Sequence, residues 1–177
     1  MLKASNAGQG TTEKFGYSVS ISDSYAIVGS NQEDSSGTDP VGASNSGAAY
    51  VFQRATDGSW NEIKFIKASN PSLNDYFGKS VSISGSYAIV GAYQEDTSGN
   101  NSGAAYVFER AHNGSWNEIK FIKASNANGN DNFGISVSID GNYAIVGAQY
   151  EDTSGNFSGA AYIFELQDGS WNQVPTI

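Results

Sequence analysis

The chain has 177 residues, 18 acidic against 9 basic, and a formal net charge of -9, which sets it against phosphate backbones and anionic lipid surfaces, so neither a nucleic-acid partner nor membrane insertion is expected. It has no cysteine and a single histidine, His112, which excludes disulfides, thiolate metal sites, cysteine nucleophiles and a histidine metal cluster within one chain. Glycine (21 residues) far exceeds proline (3), aromatics reach 12% and charged residues only 15%, which describes a turn-rich protein whose polar surface is mostly Ser, Asn, Thr and Gly.

Read in chain order, the sequence repeats itself. Leu2-Lys3-Ala4-Ser5-Asn6 returns as Ile66-Lys67-Ala68-Ser69-Asn70 and Ile122-Lys123-Ala124-Ser125-Asn126. A first strand is predicted from each Phe-Gly pair (Phe15-Gly16, Phe77-Gly78, Phe133-Gly134) through Ser-Val-Ser-Ile, alternating with period two. Tight turns at Asp23-Ser24, Gly85-Ser86 and Asp140-Gly141-Asn142 lead to a second strand, Tyr-Ala-Ile-Val-Gly, apolar on both faces. A long polar loop then precedes a third apolar strand, Ala-Ala-Tyr-Val-Phe at 48–52 and 104–108 and Ala-Ala-Tyr-Ile-Phe at 160–164. Turns with Asp57-Gly58, Asn113-Gly114 and Asp168-Gly169 open a mixed fourth strand starting at Trp60, Trp116 and Trp171. The repeats divide the chain into modules 2–65, 66–121 and 122–176. The tryptophans read as packing between neighbouring modules, and Lys3, Lys64, Lys67, Lys120 and Lys123 as solvated charges on an outer edge.

The expected fold is all-β. A four-stranded unit that hides both faces of its inner strands is a propeller blade, and one blade cannot bury those faces alone, so the three blades must stack. The pattern Phe-Gly-x-Ser-Val, Ala-Ile-Val-Gly and Gly-Ala-Ala-Tyr resembles the FG-GAP repeat of integrin α-subunit propellers, most closely the bacterial branch that lacks a calcium loop. The resemblance implies a propeller and a binding or adhesion role outside the cell or on its surface; residues 1–20 carry no signal peptide of their own. The turn at Ser84-Gly85-Ser86 is too short to wrap six to eight oxygens around calcium, so the family's calcium role is not carried to it.

Three blades form an arc with two apolar ends. Two chains would make six blades, so a homodimer closing a six-bladed propeller is expected. Ile177 aligns with Ile122, and Leu2 with Ile66, as though a second copy could follow the first. The competing reading is a structural, excised or engineered propeller fragment that assembles without a ligand.

Strand alternation puts the long loops after the second strands on one face, with the connections between modules. This acidic face is the candidate ligand site for a glycan or a protein: Glu33, Asp34, Asp75, Tyr93, Glu95, Asp96, Asp131, Tyr150, Glu151 and Asp152, with Asp39, Tyr76 and Phe157 nearby. Carboxylates with Asn, Ser and Thr oxygens suit a hard cation, making Glu95, Asp96, Glu151 and Asp152 weak candidates for calcium; no other cofactor is expected. No enzyme is expected, because His112 falls on the opposite face; paired loop carboxylates such as Glu95 and Asp75 leave a carbohydrate-active enzyme as the remaining alternative. On this reading Glu95 and Asp96 can be replaced by Ala without harm to folding.

Overall fold

The structure is a computed structural model that describes residues 1–6, 13–34 and 44–175; Asp39 and the Ile177 register lie outside them. The described residues form three antiparallel sheets with their strands in chain order, and none of them lies in a helix. The first sheet holds β1 (Ser18–Ser22), β2 (Tyr25–Ser30), β3 (Ala48–Arg54) and β4 (Trp60–Ile66). The second holds β5 (Ser80–Ser84), β6 (Tyr87–Ala92), β7 (Ala104–Arg110) and β8 (Trp116–Ile122). The third holds β9 (Phe133–Asp140), β10 (Tyr143–Ala148), β11 (Ala160–Gln167) and β12 (Ser170–Gln173). Among the described residues no helix is long and apolar enough to cross a membrane.

The register repeats with the sequence. Val19 lies opposite Val28, Val81 opposite Val90 and Val137 opposite Val146. In the first two sheets the opening strand starts later than the pattern predicts, at Ser18 and Ser80 rather than at the Phe-Gly pair. In the second and third blades the pair also reaches back to the preceding blade. Phe77 bridges in parallel to Gly47, and Phe133 to Gly103. The Phe77 N–H donates to the Ser46 carbonyl and the Phe133 N–H to that of Ser102, both at 3.0 Å. The rings meanwhile pack on their own blades, Phe77 against Tyr106 and Phe108, Phe133 against Tyr162 and Phe164. β12 is the shortest outer strand; the Val174 N–H still reaches the Ile163 carbonyl at 2.8 Å, and Pro175 then offers no donor.

The blades stack face to face. Ile27, Ala49 and Val51 of the first blade lie against Val81, Ile83, Ala88 and Val90 of the second. Ile89, Ala105 and Val107 of the second lie against Ile139, Ala144 and Val146 of the third. The tryptophans act as the sequence reading has them, packing on the tyrosine of the preceding blade: Trp116 on Tyr25 at 6.1 Å and Trp171 on Tyr87 at 5.7 Å, both edge to face. Where the inner faces meet, glycine is a steric requirement. A Cβ on Gly91 would lie 2.0 Å from the Gly134 carbonyl oxygen, so Gly91→Ala forces the second and third blades apart. Overpacking of that kind costs about 1–3 kcal/mol, so a melting temperature lower by about 3–10 °C is expected by circular dichroism. An unchanged melt would mean that the blades do not meet this closely.

Both ends of the stack remain open. Val19 and Ile21 of the first blade are 69% and 66% exposed, although their counterparts Val81 and Ile83 are buried. Ile145 and Ile163 of the third blade are 43% and 46% exposed, although Ile27, Val51, Ile89 and Val107 at the same positions are fully buried.

Candidate functional site

The loops gather on one face as alternation requires. The β2–β3 loop meets the β4–β5 connection, where Asn45 Nδ2 donates to Asn74 Oδ1 at 2.9 Å and the Asn74 N–H donates to the Ser44 carbonyl at 3.0 Å. The β6–β7 loop meets the β8–β9 connection likewise, the Asn130 N–H donating to the Asn100 carbonyl at 2.8 Å. Backbone hydrogen bonds thus tie the loop of one blade to the connection that leads into the next.

Within each loop the Glu-Asp pair divides. The glutamates turn inward, and Glu33, Glu95 and Glu151 are all buried. Each accepts a hydrogen bond from the asparagine that opens its own module: Asn6 Nδ2 to Glu33 at 3.0 Å, Asn70 to Glu95 at 3.1 Å, Asn126 to Glu151 at 2.8 Å. The same asparagines accept from a core tyrosine: Tyr50 to Asn6, Tyr106 to Asn70 and Tyr162 to Asn126, at 2.7–2.8 Å. Thr97 and Thr153 hydroxyls also donate to Glu95 and Glu151. Two lysines complete the arrangement. Lys67 Nζ lies 2.9 Å from Glu33 Oε2, and Lys123 Nζ 2.6 Å from Glu95 Oε2. The expectation that Lys67 and Lys123 are solvated edge charges is therefore wrong. Their side chains are about nine-tenths buried and cross from the end of one blade's outer strand into its loop. A carboxylate on an edge-strand pattern is invisible to periodicity because it arrives from a loop about 30 residues away.

The aspartates face out and shape turns. Asp34 Oδ1 accepts the Asn45 N–H at 2.5 Å, Asp96 Oδ1 accepts the Asn101 N–H at 2.7 Å, and Asp152 is exposed. Asp75 and Asp131, in the connections between blades, are buried beneath the loops, and each takes one backbone N–H, from Ser72 and Asn128, at 2.8 Å. Burial pushes the Asp75 carboxyl up to about 7; the Ser72 N–H opposes this, and the negative charges of Glu95 and Asp96 add to it. Burial raises the Asp131 carboxyl too, against the Asn128 N–H. Glu95 and Glu151, proposed as cation ligands, point into the protein while Asp96 and Asp152 point away, and no group of three or more His, Asp or Glu side chains suited to a metal gathers among the described residues.

Beside the outward aspartates, the face offers amide and aromatic groups to solvent. A hollow of about 440 Å³ between the second and third blades is lined by Gln94, Asn101, Asn130, Asn132, Tyr150 and Phe157. Tyr150 and Phe157 meet edge to face at 5.5 Å; Tyr93 pairs instead with Tyr76 at 5.6 Å, beside Lys79. Asn101, Asn130 and Asn132 have φ of +54°, +69° and +57°, a left-handed backbone that asparagine tolerates. Phe157 shares that conformation, φ +53°, where Asn45 and Asn101 stand in the other loops, and it is 68% exposed. A bulky ring there is strained, and its ring is open to solvent. Gln94, Asn130 and Asn132 fall on the face that strand alternation singles out, but asparagine in a loop already has a turn role, so they do not stand out as site residues; the departure of Phe157 from the repeat is the available signal.

Three four-stranded blades stacked through Phe-Gly and Gly-Ala-Ala segments define a propeller-type repeat protein. The model of the FG-GAP repeat matches residues 2–52, 60–108 and 116–164, most of the chain, and the chain belongs to that family. The second and third matches combine the outer strand of one sheet with the three inner strands of the next, so each of these two spans a blade boundary. No curated protein matches the chain.

Proposed function

We propose that the protein is a non-catalytic extracellular or cell-surface binding module, half of a six-bladed propeller closed by two copies, whose loop face takes a glycan in the hollow beside Phe157. The observation that carries the ligand reading is Phe157 itself: an exposed aromatic ring held in a strained backbone among the amides of Gln94, Asn101, Asn130 and Asn132. Amides pair with sugar hydroxyls in both directions, and an aromatic ring stacks on the apolar face of a pyranose. The inward glutamates support a non-catalytic role, since Glu33 and Glu95 are occupied by Lys67 and Lys123 and have no open path to a substrate. An array of neutral and acidic glycans tests this. Binding to a subset is expected, weakened about tenfold or more by Tyr150→Ala or Phe157→Ala. Silence across the array, or binding indifferent to both substitutions, removes the glycan and leaves a protein ligand.

The closure reading rests on the two open end faces, which carry the same residues that stack inside the chain. Light scattering with mass determination should give about 37 kDa, twice the 18.6 kDa of one chain. A folded particle of 18.6 kDa at micromolar concentration would defeat it.

A further inference from the structure

Inside the chain, the lysine that follows each of the first two blades is held in that blade's own loop. Lys67 follows the first blade and reaches Glu33 Oε2 and, at 2.8 Å, Ser46 Oγ; Lys123 follows the second and reaches Glu95 Oε2 and, at 3.0 Å, Ser102 Oγ. The third blade has the same receptacle. Glu151 Oε1 is held by Asn126 and Thr153, and Ser158 Oγ donates to the Glu151 carbonyl at 3.1 Å, as Ser102 Oγ does to that of Glu95. Among the described residues no cation pairs with Glu151, and Ser158 is exposed where Ser46 and Ser102 are buried. Lys3 is the counterpart of Lys67 and Lys123 in the repeat. It is exposed and forms no ion pair among the described residues.

The backbone shows the same complementary gaps. A Cβ on Gly29 or Gly91 would strike the carbonyl of Gly78 or Gly134 in the next blade; on Gly147, the equivalent position, its nearest neighbours are all atoms of Ser136 in the same blade, the Oγ at 2.4 Å and the carbonyl at 3.9 Å. A Cβ on Gly47 or Gly103 would strike the backbone of Phe77 or Phe133; on Gly159 it would find only its own loop, 3.2 Å from the Gln149 carbonyl. Gly16, the counterpart of Gly78 and Gly134, has nothing within 4 Å of a Cβ. Trp60 lacks the preceding tyrosine that Trp116 and Trp171 have, and Tyr143 lacks a tryptophan and is exposed.

We propose that a second copy of this chain docks its first blade on the third blade of the first copy, and that Lys3 of one copy enters the loop of the other to pair with Glu151 and Ser158. This rests on the six-bladed reading and deepens it. Phe15 and Gly16 of the entering copy lie against Gly159 and Gly147, and Trp60 meets Tyr143. In a two-fold ring the contact forms twice, so each copy gives one lysine and receives one. The ion pair selects head-to-tail docking over any other meeting of apolar faces, because a wrong register leaves Glu151 buried without its cation.

A charge exchange tests the pair. Lys3→Glu and Glu151→Lys, each alone, should raise the dimer dissociation constant about tenfold or more, since each places like charges at both interfaces. Mixing the two variants should restore dimers, almost all of them mixed, because a mixed pair has opposite charges at both interfaces; native mass spectrometry separates the three species. A statistical mixture, or single variants that dimerise as the parent does, overturns the ion pair while leaving the six-bladed reading in place. A monomeric parent defeats that reading itself. Should Glu151→Lys fail to fold, a carbodiimide decides on the parent protein: it condenses a lysine amine with a carboxylate in ion-pair contact, forming the amide and taking up the water as its urea. A Lys3–Glu151 cross-linked peptide is expected by mass spectrometry after digestion, with Lys67–Glu33 and Lys123–Glu95 as internal controls. Recovery of the two internal cross-links without Lys3–Glu151 overturns the pair.

Discussion

Glu95→Ala is expected to destabilise the folded chain by about 3–5 kcal/mol, because Lys123 then remains buried with no counter-charge. The loss reaches further than one ion pair. Asn70 Nδ2 loses its acceptor, and through it the Tyr106 hydroxyl loses part of its fixed position, so both blades at this boundary loosen. Urea unfolding measures the effect directly. Lys123→Met in the Glu95→Ala background should recover much of the loss, since an apolar pair of similar volume needs no compensating charge. Asp96→Ala removes only a cap on the Asn101 N–H and is expected to cost about 1 kcal/mol. Equal and small effects of Glu95→Ala and Asp96→Ala would show that the glutamate is a surface group after all.

The difference between those adjacent carboxylates explains how far the sequence could be read. Strands, turns and loop face follow from spacing, because the period of the side chains decides which residues share a surface: Val81 and Val90 pair, Trp116 and Trp171 fall between blades, and Asn45 meets Asn74. A loop has no such period. Glu95 and Asp96 are neighbours of the same charge, and only the folded backbone, with the Glu95 N–H on the Ala92 carbonyl and the Gly103 N–H on the Glu95 carbonyl, turns one inward and the other out. Lys67 and Lys123 were misread for the same reason, since their partners come from that turn. Phe157 was legible as a break in a repeated asparagine, but the hollow around it depends on how two loops from different blades approach each other.

A second large effect concerns acid. Asp75 has its folded-state carboxyl raised from an ordinary 3.8 to about 7, so between those values the folded chain keeps a proton that the unfolded chain releases. Stability from this group is therefore fully present below the ordinary value of 3.8, falls as pH rises through about 7, and is flat from about pH 8. A shift of that size is worth about 4 kcal/mol at most. Asp75→Asn is neutral at every pH and keeps the acceptor for the Ser72 N–H, so the variant lacks this slope. The parent and the variant should have similar urea midpoints near pH 4, and the variant should gain steadily on the parent up to pH 8. Lys123 and the carboxylates of Glu95 and Asp96 face Asp75 in both proteins, so their own titrations largely cancel in the difference. Asp131→Asn should change in the same sense, because burial raises that carboxyl too. A gap between the parent and Asp75→Asn that stays constant from pH 4 to 8 would mean that Asp75 is ionised throughout. The junction between the first and second blades would then carry a buried negative charge at every pH, beside the backbone hydrogen bonds that tie the loop to the connection there.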